Sequence, residues 1–327
     1  MTRFARYCAA FLLLIRYAGA QDQPIRVDVD LVNILFTVKA KKGGALIPNL
    51  EKNNFTIEED GKPQTIQRFS RETDLPLTLG LLIDISASQE RLIDIEREAA
   101  SAFFSSVIRP KDEAFLISFG KSTVLLQDYT SSSRQLSAAL RDLRGDGPGP
   151  VGAGPIPNSG PVPTIGTPKG TLLFDAIYLA ATEKLKTEVG RKALILITDG
   201  QDQGSTYDRR AAIEAAQRSD AVVYSIYYVD QGFYSGGGIS FGGGNEGDLK
   251  KISEETGGHV FSVSKKHPLD EIFKQIQDEL RSQYSIGYSS SNPKRDGSFR
   301  HIAIKTDNSD YRVQARAGYY ATKNDVQ

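Results

Sequence analysis

Between Leu75 and about Ser282 the chain carries five continuous apolar runs: LTLGLLIDI (77–85), AFLISF (114–119), ALILIT (193–198), AVVYSIYYV (221–229) and HVFSV (259–263). A strand apolar at nearly every position has no face to offer water, so it must be covered on both sides. The segments between the runs supply the cover. QERLIDIEREAASAFFSSVI, SRQLSAALRDLR, TLLFDAIYLAATEKLKTE, DRRAAIEAAQRS, DLKKISEE and PLDEIFKQIQDELRSQ each repeat apolar residues at three and four, the period of an amphipathic helix. Strands alternating with helices in this way form right-handed crossover units. The prediction for residues 75–283 is therefore an α/β domain, doubly wound, with a mainly parallel sheet.

The flanks follow a different period. Ile25, Val27, Val29 and Leu31 alternate with polar residues, ILFTVKA follows, and FTIEEDGKPQTIQRF reads as a hairpin turning at Asp60-Gly61. After Gln283 the alternation returns in YSIGYSS, FRHIAIKT and YRVQARAGYYA, with a turn over 292–297 between the first two. About four strands at the start and three at the end are each a marginal sheet alone. The expectation is one β-sandwich shared by the ends, an N-terminal β segment over 21–74 and a C-terminal one over 284–320 pairing with 25–70, with the α/β domain inserted and 321–327 left as a tail. Two low-complexity stretches, 145–170 (Pro/Gly-rich) and 232–247 (Gly-rich), read as surface loops.

The first twenty residues read as a secretory signal peptide: Arg3 and Arg6, an apolar run from Ala9 to Ile15, and Ala18-Gly19-Ala20 before the cut. Arg16 interrupts a run already too short to span a bilayer. The expected address is periplasmic or extracellular, with no membrane span in the mature chain. Cleavage removes Cys8, the single cysteine, so disulfides cannot hold the mature protein. It also removes three of the 40 basic residues against 40 acidic ones, leaving a slightly acidic chain with short basic clusters only, which excludes a nucleic-acid binder.

The first apolar run ends in Asp84-Ile85-Ser86-Ala87-Ser88, at the carboxyl edge where open α/β sheets bind ligands. Alternation puts Asp84, Ser86 and Ser88 on one side of the turn; a strand end followed by a serine N-cap would give the same letters. Thr171 opens a helix after the Pro/Gly-rich stretch, and ALILITDG ends in Asp199 at the same edge. Three hydroxyls and two carboxylates are hard oxygen donors, suited to Mg2+ or Mn2+ and not to zinc. Asp202 either tunes that ion or caps a turn.

Asp84-x-Ser86-x-Ser88 with Thr171 and Asp199 resembles the metal-ion-dependent adhesion site of von Willebrand factor type A domains. RVDVDLV, FTIEEDGKPQ, LPLTLGLLIDIS, ALILITDG and ELRSQYSIGY together resemble the acidobacterial-type secreted branch of that family over almost the whole mature chain. The resemblance implies that Ser86, Ser88 and Thr171 ligate the ion directly or switchably, while Asp84 and Asp199 act largely through water.

The expected function is a secreted binding or adhesion module, not an enzyme. It would present a metal to a Glu or Asp of a protein partner, because neutral hydroxyls leave a dication open to an external anion. Two alternatives compete. One is a Mg2+-dependent hydrolase or phosphoryl-transfer enzyme with Asp84 as nucleophile, although serines stand where a second carboxylate is wanted. The other is a scaffold with a vestigial site. His259, His267 and His301 lie on separate elements and read as structural.

Overall fold

The computed structural model describes residues 31–71, 75–146, 170–229 and 244–321. The signal segment, most of both low-complexity stretches and the tail from 322 lie outside the described residues.

The central layer is a six-stranded sheet. Its strands are β5 (Leu77–Asp84), β6 (Glu113–Phe119), β7 (Thr123–Thr130), β8 (Arg191–Thr198), β9 (Ala221–Tyr227) and β10 (Val260–Ser262), in the order β10-β9-β8-β5-β6-β7. All neighbours are parallel except β6 and β7, which are antiparallel. β5 and β8 are buried at every position, as uninterrupted apolar runs require. One face is covered by α1 (Ile93–Val107), α2 (Ser133–Arg141) and α6 (Leu269–Arg281), which pack on Leu79, Leu81, Ile195 and Tyr224. The other is covered by α3 (Leu173–Leu179), α4 (Arg209–Arg218) and α5 (Glu246–Thr256), on Leu82, Phe115, Leu194 and Val223. Gly80 sits where the sheet is tightest: a Cβ there would lie 2.4 Å from the Phe115 ring.

The ends of the chain form two four-stranded antiparallel sheets. β1 (Leu31–Ala40) pairs with β11 (Tyr284–Ser289) and β13 (Tyr311–Ala315), and β11 pairs with β4 (Arg68–Arg71). β2 (Phe55–Glu59) pairs with β3 (Lys62–Gln64) and β12 (Phe299–Thr306), and β12 with β14 (Gly318–Tyr320). Ile34, Phe36, Val38, Tyr284 and Ile286 from one sheet meet Phe55 and Ile57 from the other in a common core. The fold is thus the expected doubly wound α/β unit with antiparallel sheets built from both ends of the chain. The β2–β3 turn has positive φ at Asp60 (49°) and Gly61 (76°), the two-residue geometry that matches strand twist.

Three elements differ from the sequence reading. β7 has no counterpart there, because TVLLQDYT is a mixed run only partly buried at the sheet edge. The helix expected over 171–188 is α-helical to Leu179 and then widens to a π-helical turn, Ala180–Leu185. YRVQARAGYYA is two strands, since the chain leaves β1 after Ala315 and joins β12 at Gly318, where a Cβ would strike the Arg300 carbonyl at 2.1 Å.

A partly buried polar seam links sandwich strands to the α/β unit. Lys39 on β1 donates to Glu279 Oε1 on α6 at 2.6 Å, the same oxygen lies 3.5 Å from His259 Nε2, and Gln314 on β13 meets His259 Nδ1 at 3.0 Å. Inside the sandwich, Glu59 (2 % exposed) accepts from Arg300 (3 % exposed), Tyr288, Tyr319 and Ser290.

Candidate metal centre

The chain order of the six strands turns back at β5 and β8. β5 leads to β6 on one side, while the later strands build outward from β8 on the other. That switch point opens a crevice beyond the carboxyl ends of β5 and β8, the place where open α/β sheets bind ligands. Asp84 is the last residue of β5, and Asp199 follows the last residue of β8.

Asp84 is wholly buried and engaged through both carboxylate oxygens: Oδ1 accepts from Ser86 N–H at 2.9 Å and Oδ2 from the Thr198 hydroxyl at 2.6 Å. The first bond is an Asx-type turn that throws the chain off the strand. Gln89 N–H then bonds the Ser86 carbonyl at 2.9 Å and closes the loop before α1. Ser86 and Ser88 are thereby left half-buried at the surface, their hydroxyl oxygens 3.2 Å apart. Ser88 donates to Asp199 Oδ2 at 2.6 Å, and Asp199 Oδ1 accepts from Gln201 N–H at 3.0 Å. Gly200, with φ +78°, turns the backbone away directly after Asp199.

Four of the five candidate residues, Asp84, Ser86, Ser88 and Asp199, are therefore joined by hydrogen bonds. Thr171, 5 % exposed, is placed by the backbone: its carbonyl accepts from Gln203 N–H at 2.9 Å, and the next amide, of Leu172, donates to Gly120 at the end of β6 at 3.0 Å. Asp202 acts as a cap, with Oδ1 accepting from Phe174 N–H at 3.3 Å and from the Ser205 hydroxyl at 2.5 Å.

Burial pushes the Asp84 carboxyl up from 3.8 to about 7; bonds from Ser86 and Thr198 oppose the shift and the charge of Asp199 adds to it. A buried acid raised this far lacks positive charge nearby, and a dication supplies it. The donor set fits such an ion. Metal–oxygen bonds of 2.0–2.1 Å put adjacent octahedral ligands roughly 2.9 Å apart, close to the Ser86–Ser88 separation. No three of His, Cys, Asp and Glu converge as a metal cluster among the described residues, so an ion at this edge would rely on hydroxyl ligands.

Sequence reasoning missed Thr198, Gln89 and Glu96, all fully buried around this loop. A signal existed for two of them: a hydroxyl closing the apolar run ALILIT, and an acid on the buried stripe of the first helix; Gln89 lies in the loop before that helix.

The family model of the von Willebrand factor type A domain matches residues 165–275, from before α3 into α6. The α/β unit has that domain's Rossmann-like fold. The chain is similar to three solved structures among others. With BatB, a conserved hypothetical protein from Bacteroides thetaiotaomicron, it shares 17 % identity over 62 % of this chain and 97 % of that one, TM-score 0.45. A von Willebrand factor type A protein from Catenulispora acidiphila gives 11 % identity over 84 % and 76 %, TM-score 0.48. Proximal thread matrix protein 1 from the mussel byssus, solved with a zinc-occupied metal-ion-dependent adhesion motif, gives 15 % over 69 % of this chain and 50 % of that one, TM-score 0.47. No curated protein matches the chain.

Proposed function

We propose that the mature protein is an exported binding module that recognises a protein partner through a divalent cation, Mg2+ or Mn2+, held by Asp84, Ser86, Ser88, Thr171 and Asp199. The supporting observation is the paired hydroxyls of Ser86 and Ser88, half-buried at the switch point, with Asp84 and Asp199 wholly buried beneath them. Bound there, the cation supplies Lewis acidity toward an anionic oxygen. The chain's own part is to hold two neutral hydroxyls in place and keep the carboxylates behind them, so that charge is left for a Glu or Asp side chain of the partner.

The enzyme alternative fits the geometry poorly. Asp84 is 0 % exposed and both its oxygens accept hydrogen bonds, so it offers no free nucleophile.

Calorimetric titration of the chain with Mg2+ and Mn2+, wild type against Ser86→Ala, tests the metal. Capture from an envelope or extracellular fraction in Mg2+ and then in EDTA tests the partner. Binding of both ions that weakens in Ser86→Ala, and capture abolished by EDTA, are the expected results; capture indifferent to EDTA overturns the metal mechanism. N-terminal sequencing of exported material should begin at Gln21, and recovery of the intact chain from the cytosol overturns export.

A further inference from the structure

On the face of the sheet that α3 and α4 cover, the two helices leave a cavity of about 380 Å3 between them. Ala181, Ala211 and Ala215 line it, and larger side chains at those positions would close the gap. One wall is aromatic. Tyr178 on α3 and Tyr207, just before the first turn of α4, stack with ring centroids 3.6 Å apart and planes within 12°. That wall is fixed from behind, because the buried Asp175 carboxylate accepts from the Tyr207 N–H at 2.9 Å and from the Thr206 N–H at 3.0 Å. Toward the last turns of the two helices the lining is basic: Lys186 follows the π-helical turn and Arg218 closes α4.

The bonds already made inside the cavity restrict what it can hold. The Thr182 hydroxyl donates to the Tyr178 carbonyl at 2.9 Å, and the Ser219 hydroxyl to the Ala216 carbonyl at 3.0 Å. Arg218 donates to Glu214 at 2.8 Å and lies over the Tyr320 ring, 4.1 Å from its centre. Glu214 therefore answers Arg218, and the Lys186 ammonium keeps an uncompensated charge, with no partner among the described residues. A saccharide, which needs donors and acceptors around its whole rim, finds few here. A cavity of this size with an apolar lining, an aromatic wall and one free cation suits a flat apolar body carrying a single anionic group.

We propose that this cavity binds a small aromatic carboxylate, its ring packed on the Tyr178–Tyr207 wall over the three alanines and its carboxylate paired with Lys186. The stacked wall exists before the ligand arrives, so little has to be ordered on binding. The site is separate from the cation centre and does not rest on it.

The whole chain would be titrated in EDTA with naphthylacetate and with its neutral amide, followed by naphthyl fluorescence, which no tryptophan of this chain obscures. Saturable binding of the acid is expected, with the amide weaker by roughly fivefold for want of the charge. Lys186→Gln, at an exposed position, should cost the acid the same factor and leave the amide unchanged. Tyr207→Leu should weaken both, Ala211→Leu should abolish both by filling the cavity, and Ser86→Ala should alter neither. No saturable binding of the acid, equal binding of acid and amide, or full affinity in Tyr207→Leu or Ala211→Leu each overturns the site. Binding that appears only when Mg2+ replaces EDTA and is lost in Ser86→Ala also overturns it, since the carboxylate has then gone to the surface cation and the metal reading stands alone. Should Ala211→Leu fail to fold by circular dichroism, the contrast between acid and amide in Lys186→Gln decides the question.

Discussion

Ser88 donates its hydroxyl proton to Asp199 at 2.6 Å, joining residues 111 positions apart across the mouth of the crevice. The bond locks the loop after β5 to the end of β8, so the geometry of the paired serines depends on a residue of the other half of the sheet. Ser88→Ala removes one donor to a buried carboxylate, and stability should fall by about 1–2 kcal/mol. Urea unfolding measures this, and Mn2+ titration of the same variant should show weakened binding. Unchanged values in both would mean the bond positions nothing.

Thr198→Val tests the support beneath. The Thr198 hydroxyl donates to Asp84 Oδ2 at 2.6 Å and accepts from Gly200 N–H at 3.0 Å, all buried. Valine keeps the shape and strands both partners, so a loss of about 1–3 kcal/mol is expected. A loss under half a kcal/mol by urea midpoint would show that the loop relaxes to solvent without it.

Acid sensitivity should centre on His259. Burial first, with Lys39 and Arg312 adding, pushes its imidazole down from 6.5 to about 3. Unfolded chains take up this proton from about pH 6.5 downward while folded ones resist to about 3. Stability therefore falls on acidification through that window, by up to about 1.4 kcal/mol per pH unit. Glu279, raised by burial from 4.5 to about 6, works in the opposite sense between those values, since its folded form takes the proton first. His259→Gln should flatten the net decline in urea midpoint between pH 6.5 and 4. An undiminished decline would place the sensitivity elsewhere.

The sandwich holds an ion pair whose two side chains are 3 % and 2 % exposed, Arg300 with Glu59. Glu59→Ala leaves the guanidinium without its counter-charge, and a loss of about 3–5 kcal/mol is expected. Glu59→Leu/Arg300→Met should recover part of it: the uncompensated guanidinium is gone, while the Tyr288, Tyr319 and Ser290 hydroxyls still lack the acceptor Glu59 gave them. Thermal unfolding of the three proteins decides, and a double variant as unstable as the single would show that the charges themselves stabilise.

The α/β unit was legible because β5 and β8 are apolar at nearly every position, a pattern that only a covered strand tolerates. β7 was not, since an edge strand exposed along one side carries no such constraint. The break at 316–317 was hidden for a related reason: Tyr311–Ala315 and Gly318–Tyr320 read as one alternating run, and only the change of partner strand divides them. At the candidate centre, Asp84 and Ser86 announce themselves by local spacing. Thr198 and Glu96 reach the same loop through tertiary packing, and an acid among Ile93, Ala100 and Phe103 looks in sequence like an ordinary interruption of an apolar stripe.

The interleaving of the two chain ends has a kinetic consequence. Tyr319 and Glu59 meet although they stand 260 positions apart, and every pairing of β1 with β11 or β13 is comparably remote. Contacts this distant are slow to form unless the chain between them is already compact, because closing an unstructured loop of that length costs entropy before any contact returns it. The α/β unit, whose two halves β5-β6-β7 and β8-β9-β10 each pair strands near in sequence, is the element able to compact first and bring the ends together. The sandwich is then the last part of the molecule to assemble and the first to report damage anywhere in the insert: a lesion in β5 or β8 that delays the middle would leave β1 and β2 exposed as unpaired strands on the nascent protein.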